Sequence, residues 1–224
     1  MGMARRQGVS RRAIRLVMGA AACALVAAGL GASQSRAAGP VKKAPIRVTF
    51  VGDSVPASIT YDTAAQRELR DGMAVRLDLK VCRRLVEPSC SYQGFAPPSA
   101  LQAVQSYGRR LGKVLVVMVG YNEGSRGYGH GIDLIMRAAL AQGAKGVVWV
   151  TLREENPIYR STNTVIRTAA KRWPQLLVAD WNAYSAGRPS SWFGSDGLHL
   201  TATGATALAA FLRPSVLRAA GVNI

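Results

Sequence analysis

Five short apolar runs, at residues 46–51, 75–81, 113–119, 146–151 and 176–180, are rich in Val, Ile and Leu and are bounded by Gly, Pro or Asp, as strands are. Helix-like stretches at about 57–70, 98–110, 131–142 and 161–172 separate them, and a last one follows near 203–219. A strand that is apolar at nearly every position has no solvent face, so both of its sides must be covered. The alternation therefore predicts an α/β chain, a three-layer α/β/α sandwich around a central parallel five-stranded sheet. Right-handed crossovers gather the carboxyl ends of all strands on one edge, and sites form there.

The amino terminus stands apart from this pattern. Residues 1–16 hold five arginines and no acid, Leu16 to Leu30 is an Ala-rich apolar stretch, and Ser35-Arg36-Ala37 supplies small residues for cleavage. Residues 1–37 therefore read as a signal peptide, 38–45 as a Gly/Pro/Lys linker, and 46–224 as one domain with no internal repeat. Ser10-Arg11-Arg12 resembles a twin-arginine export signal, with ordinary secretion as the alternative route. Either route places the protein outside the cytoplasm, free or associated with the cell envelope. A retained membrane anchor is the alternative to cleavage, against which the apolar stretch is shorter than the roughly 20 residues that span a bilayer; Cys23 lacks the aliphatic residue expected before a lipid-attachment cysteine.

Removal of residues 1–37 takes six arginines, leaving 23 basic against 12 acidic residues, a net charge of +11. That excess favours polyanionic neighbours such as anionic cell-envelope polymers. Its basic residues are scattered, with no run interleaved with aromatics and no recognition motif, so a nucleic-acid partner is not expected. Cys82 and Cys90 remain and, in an exported protein, read as a disulfide. Two thiols without a histidine or carboxylate at ligand spacing do not complete a metal site. The expected state is a monomer.

Three polar segments fall at predicted strand ends: Gly52-Asp53-Ser54, Gly120-Tyr121-Asn122-Glu123, and Arg153-Glu154-Glu155-Asn156. Ser54, at the junction of strand and helix, offers a hydroxyl nucleophile with its own N–H facing the reacting group. Its base must be a histidine, and the chain has two. His199 lies three residues after Asp196, so the carboxylate can take the Nδ1 proton and leave Nε2 free as base; Gly197 between them permits a tight turn. Trp192 and Phe193 are expected to form an apolar lip that limits water. Asn122 offers a side-chain amide to an oxyanion, and Gly94, beyond the second run, a backbone N–H. Asp53 reads as a turn-stabilising residue, His130 as a loop residue at the surface or lining a substrate, and Arg153 as a pocket residue or a solvated ion pair.

This set resembles the SGNH (GDSL-type) serine esterase and acyltransferase superfamily over about residues 46–215. Its nucleophile motif corresponds to Gly52-Asp53-Ser54-Val55, its Gly-x-Asn block to Gly120-Tyr121-Asn122, and its Asp-x-x-His block to Asp196-Gly197-Leu198-His199. Val55 replaces the usual leucine, Glu123 replaces an aspartate that often follows the asparagine, and Gly94 is assigned to the glycine block by location. The resemblance implies a flavodoxin-like sandwich of the SGNH-hydrolase type, a catalytic Ser54-His199-Asp196 triad, and an oxyanion hole from Ser54, Gly94 and Asn122. No metal or organic cofactor is implied. The activity it implies is hydrolysis of small acyl esters, acetyl groups on extracellular carbohydrate above all. Transfer of the acyl group to a sugar hydroxyl is the alternative within the same chemistry. A non-catalytic basic domain that binds wall polymer is the alternative outside it.

Overall fold

A computed structural model describes residues 44–223; the expected signal peptide and most of the expected linker lie outside the described residues. The strands are β1 (Ile46–Gly52), β2 (Met73–Leu79), β3 (Val114–Met118), β4 (Gly146–Val150) and β5 (Leu176–Ala179). All pair in parallel, in the order β2-β1-β3-β4-β5. The helices are α1 (Thr63–Arg70), α2 (Ala100–Tyr107), α3 (Tyr128–Ala141), α4 (Pro157–Ala170), α5 (Trp181–Ser185) and α6 (Ala202–Ala219).

Because side chains alternate along a strand, each run feeds two cores. Val48 and Phe50 of β1, Val114, Val116 and Met118 of β3, and Val148 and Val150 of β4 pack with Leu69 of α1 and Leu208 and Leu212 of α6. Val51, Leu115, Val117, Val147 and Trp149 point the other way, into a cluster with Val104 of α2, Ile132 and Ile135 of α3, and Ile166 of α4. The sheet is thus covered on both faces, which accounts for its nearly unbroken apolar strands. No helix among the described residues is long and apolar enough to cross a membrane.

Several boundaries differ from expectation for local reasons. The stretch 57–70 divides into a 3₁₀ turn (Pro56–Tyr61) and α1, because the Asp62 side chain accepts from Ala65 N at 2.6 Å and starts a new helix. α4 begins four residues early, where Asn156 caps and Pro157 takes the first helical position. α3 begins at Tyr128, which carries His130 out of the expected loop onto an exposed helical position. β2 stops at Leu79, opposite Gly52, so Val81 belongs to the loop beyond it.

The segment 80–99 has no regular structure, yet it is firmly tied. Arg83 is 1% exposed and donates to Asp78 Oδ1 at 2.9 Å, Asp78 O at 2.5 Å and Pro98 O at 3.1 Å. A buried cation is tolerated only with such a full set of acceptors. The Cys82–Cys90 disulfide closes this loop, with Cα atoms 5.1 Å apart.

Candidate active site

In the order β2-β1-β3, the chain leaves β1 and β3 toward opposite sides, and the crevice lies between their carboxyl ends. Ser54 follows β1 there, and Gly120 to Glu123 follow β3. Gly52 makes the turn into Ser54 feasible: a Cβ on it would sit 2.5 Å from Pro56 Cγ and 2.7 Å from Leu79 Cδ2. Asp53 is fully buried and ties the two strand ends together, accepting from Gly120 N at 3.0 Å, Tyr121 N at 3.1 Å and Val55 N at 3.2 Å. Burial pushes its carboxyl up to about 6 against the pull of those amides.

His199 reaches the same crevice from the far end of the chain. Its Nε2 lies 3.0 Å from Ser54 Oγ and its Nδ1 2.5 Å from Asp196 Oδ2. Asp196 Oδ1 also accepts from Leu198 N and His199 N, each at 3.0 Å. The hydrogen bond from His199, with these amides, holds the Asp196 carboxyl down at about 2, so it stays an acceptor. Nδ1 then carries the ring proton, and Nε2 is left to accept from Ser54.

The turn that sets this geometry is short. Gly194 N donates to His199 O at 2.7 Å and Gly197 N to Gly194 O at 3.0 Å, while Phe193 bridges Leu200. Gly197 has a φ of +70°, the left-handed region a side chain resists. Arg153 braces the turn from outside: Nε donates to Gly197 O at 2.9 Å, Nη1 to Ser185 O at 2.8 Å, and the guanidinium lies 4.0 Å above the Phe193 ring. Arg153 also pairs with Glu155 Oε1 at 2.7 Å, so it is the expected ion pair and a support of the His199 turn rather than a pocket wall. Trp192 and Phe193 are not the expected lip. Phe193 is buried under Arg153, and Trp192 stacks on Trp181 with ring centroids 6.3 Å apart.

A cavity of about 460 Å³ opens over Ser54 and His199. Asn122 lines it, as expected. Its Nδ2 donates to Arg83 O at 3.2 Å, which leaves the second amide hydrogen free, and its backbone carbonyl accepts from Arg84 Nε at 2.9 Å. Glu123 accepts from Leu85 N at 2.6 Å, so this loop does have carboxylate support; burial raises that carboxyl to about 7. Gly94 is placed elsewhere: it lies outside the cavity lining, at the tip of an exposed two-residue hairpin closed by Tyr92 and Phe95. Of the residues after β2 that do line the cavity, Val81, Cys82 and Tyr92, Cys82 has a φ of +69°. Among the described residues, neither the Cys82 N–H nor the Ser54 N–H has an acceptor within the protein. Nothing in the sequence marks Cys82 as a backbone donor, since the left-handed region is glycine territory; only its disulfide sets it apart. His130 does not line the cavity.

The rim is aromatic. Tyr61 and Tyr92 line it and are 85% and 52% exposed.

This chain has the fold of several solved structures, SGNH-type hydrolases among them. It is similar to TesA at 16% identity, with a TM-score of 0.59 over 77% of this chain and 99% of that one. A carbohydrate acetylesterase family member from Sinorhizobium meliloti matches at 15% identity and a TM-score of 0.59, over 79% and 100% of the two chains. A candidate SGNH hydrolase from Slackia heliotrinireducens matches at 18% identity and a TM-score of 0.55, over 78% and 100%. The sequence matches no protein-family model and no curated protein sequence.

Proposed function

We propose that this protein is an exported serine esterase that cleaves small acyl esters, acetyl esters of carbohydrate in particular, through Ser54, His199 and Asp196. The observation that carries the reading is the relay from Ser54 Oγ to His199 Nε2 at 3.0 Å and from His199 Nδ1 to Asp196 at 2.5 Å. Ser54 Oγ adds to the ester carbonyl carbon while His199 Nε2 takes its proton and Asp196 stabilises the imidazolium. The carbonyl oxygen, now an anion, is held by the Ser54 N–H, the free hydrogen of Asn122 Nδ2 and, in place of Gly94, the Cys82 N–H. Collapse breaks the ester C–O bond, and the departing alcohol takes the proton from His199. Water then attacks the acyl-Ser54 carbonyl with His199 again as base, and the carboxylic acid leaves as Ser54 regains its proton.

The substrate class draws on the rim. Two exposed tyrosines beside an open cavity offer flat faces on which a sugar ring can rest, and a carbohydrate acetylesterase among the proteins sharing the fold supports the same choice. A disulfide in the functional loop supports an oxidising compartment, in line with an amino-terminal export signal.

The test is Ser54→Ala assayed on acetylated xylan and on 4-nitrophenyl acetate, with phosphonate labelling followed by mass mapping. Loss of hydrolysis and of the label at Ser54 is expected. Unchanged hydrolysis, or a label elsewhere, overturns the proposal. Added deacetylated xylan competes with water for the acyl group and so separates hydrolysis from transfer.

A further inference from the structure

The edge of the sheet opposite the catalytic crevice carries a different chemistry. Lys113 N donates to Arg47 O and Lys145 N to Lys113 O, both at 2.8 Å, so β1, β3 and β4 deliver Arg47, Lys113 and Lys145 to one row along their amino ends. Neighbouring strands lie about 4.8 Å apart, which spaces these side chains closely enough to add their fields well within a Debye length of about 8 Å. Arg47 also joins two clefts of about 730 and 640 Å³. Arg70, Arg76 and Arg110 line the first, and Arg109 lines the second.

All of these cations are exposed, and no carboxylate lines either cleft. Among the described residues none of them is in an ion pair; the nearby acids are occupied, Asp71 by Arg213 and Asp78 by the buried Arg83. Arg70 donates to Gln66, Arg110 to Ser106 O, and Arg76 lies over the Tyr107 ring, all neutral partners that leave the charges uncompensated.

From this we infer that the amino edge is a binding groove for a flexible, phosphate-bearing polyanionic chain. The surface is two joined concavities rather than a flat face, so it suits a chain that runs along it. Among the described residues the exposed large apolar side chains, Tyr61, Val81, Tyr92, Phe95 and Ile158, all lie outside both clefts, so neither cleft presents an apolar anchor to a bilayer. No aromatic side chain lines either cleft to stack a base. The groove does not depend on the esterase reading, because none of its cations lines the cavity over Ser54.

The experiment measures binding of linear inorganic polyphosphate to the full chain across a salt series. Four to seven phosphate contacts at about 0.7 counterion each give a slope of log K against log [salt] of about −3 to −5. Affinity should then fall roughly 10² to 10³-fold between 50 and 200 mM salt. A variant with Arg47, Arg76, Arg110 and Lys145 all changed to Gln should bind at least tenfold more weakly and with a shallower slope, while its ester hydrolysis and thermal midpoint are unchanged. A control with Arg126, Arg137, Lys171 and Arg218 changed to Gln removes the same charge from exposed positions elsewhere and should bind as the parent does. Equal losses in both variants would show only the net charge at work and overturn the groove. So would tighter binding to phosphatidylglycerol vesicles or to oligothymidylate than to polyphosphate, or no polyphosphate binding at 50 mM salt.

Discussion

Gly204, the third residue of α6, sits where helix and active-site turn are in backbone contact. A Cβ there would fall 2.0 Å from Trp192 O, 2.9 Å from its carbonyl carbon and 3.2 Å from its Cα. None of these atoms belongs to a side chain that can rotate away, and the same carbonyl already accepts from Thr201 N at 3.1 Å. Real Cβ contacts are essentially never under 3.0 Å, so in Gly204→Ala the helix and the 190–192 turn must part by at least about 1 Å. Such overpacking costs about 1–3 kcal/mol, partly offset by the better helix propensity of alanine, about 1 kcal/mol at most. A net loss of about 1–2 kcal/mol lowers the melting temperature by about 2–8 °C for a domain of this size. The displaced turn continues through Phe193 to Asp196 and His199, which must stay within hydrogen-bond reach of Ser54; a misplacement near 1 Å costs about 10²-fold in turnover. Calorimetry and 4-nitrophenyl acetate kinetics read the two effects, with Gly129→Ala on α3 as control, since its added methyl meets only the Val165 side chain at 3.3 Å. Parental stability and kcat in Gly204→Ala would refute this account of how α6 sets the histidine.

Two further outcomes follow from the same geometry. In Cys82→Ala/Cys90→Ala the tether is gone and alanine resists a φ of +69° by about 1–2 kcal/mol; kcat should fall about 10 to 100-fold with KM little changed, and Cys82→Gly/Cys90→Ala should recover most of it. Equal kcat in the two double variants would remove Cys82 from the oxyanion hole. The buried Asp53 carboxyl has a folded value of about 6 against 3.8 when unfolded, so the native state binds the extra proton between those values and stability falls as pH rises from about 4 to about 6. The full effect is about 3 kcal/mol. Glu123 acts in the same direction up to about 7, whereas the largely exposed Asp196 titrates lower, at about 2. Urea unfolding of the parent and Asp53→Asn from pH 4 to 7.5 should show their stability difference shrinking with pH, and a constant difference would contradict this.

The strands were legible because burial on both faces leaves an apolar run that hardly any helix surface imitates; Val114 to Met118 and Gly146 to Val150 sit inside the expected ranges. The Ser54 and Asn122 blocks were legible too, since each places a polar group where an apolar strand ends, and Asp196–His199 was legible by a three-residue spacing that fits one turn. What the sequence hid was conformation imposed by partners far along the chain. Cys82 adopts a glycine-like backbone that its residue type argues against, and Gly94 draws attention by type while merely closing a hairpin. Arg153 read as a pocket residue or a solvated ion pair, and nothing near it in the chain announces the Gly197 carbonyl, 44 residues on, that it meets. Asp62-Thr63 and Asn156-Pro157 did carry capping signals in the sequence, and the helix starts they mark were open to a closer reading.

β1 joins two unlike ends: Arg47 stands at one and Ser54 just past the other, a span of about 20 Å at the usual rise per residue. A polymer gripped at the basic end must cross that span before any part of it meets the nucleophile of the same molecule. If both proposals hold, the molecule grips a polymer at one end of β1 and does its chemistry at the other.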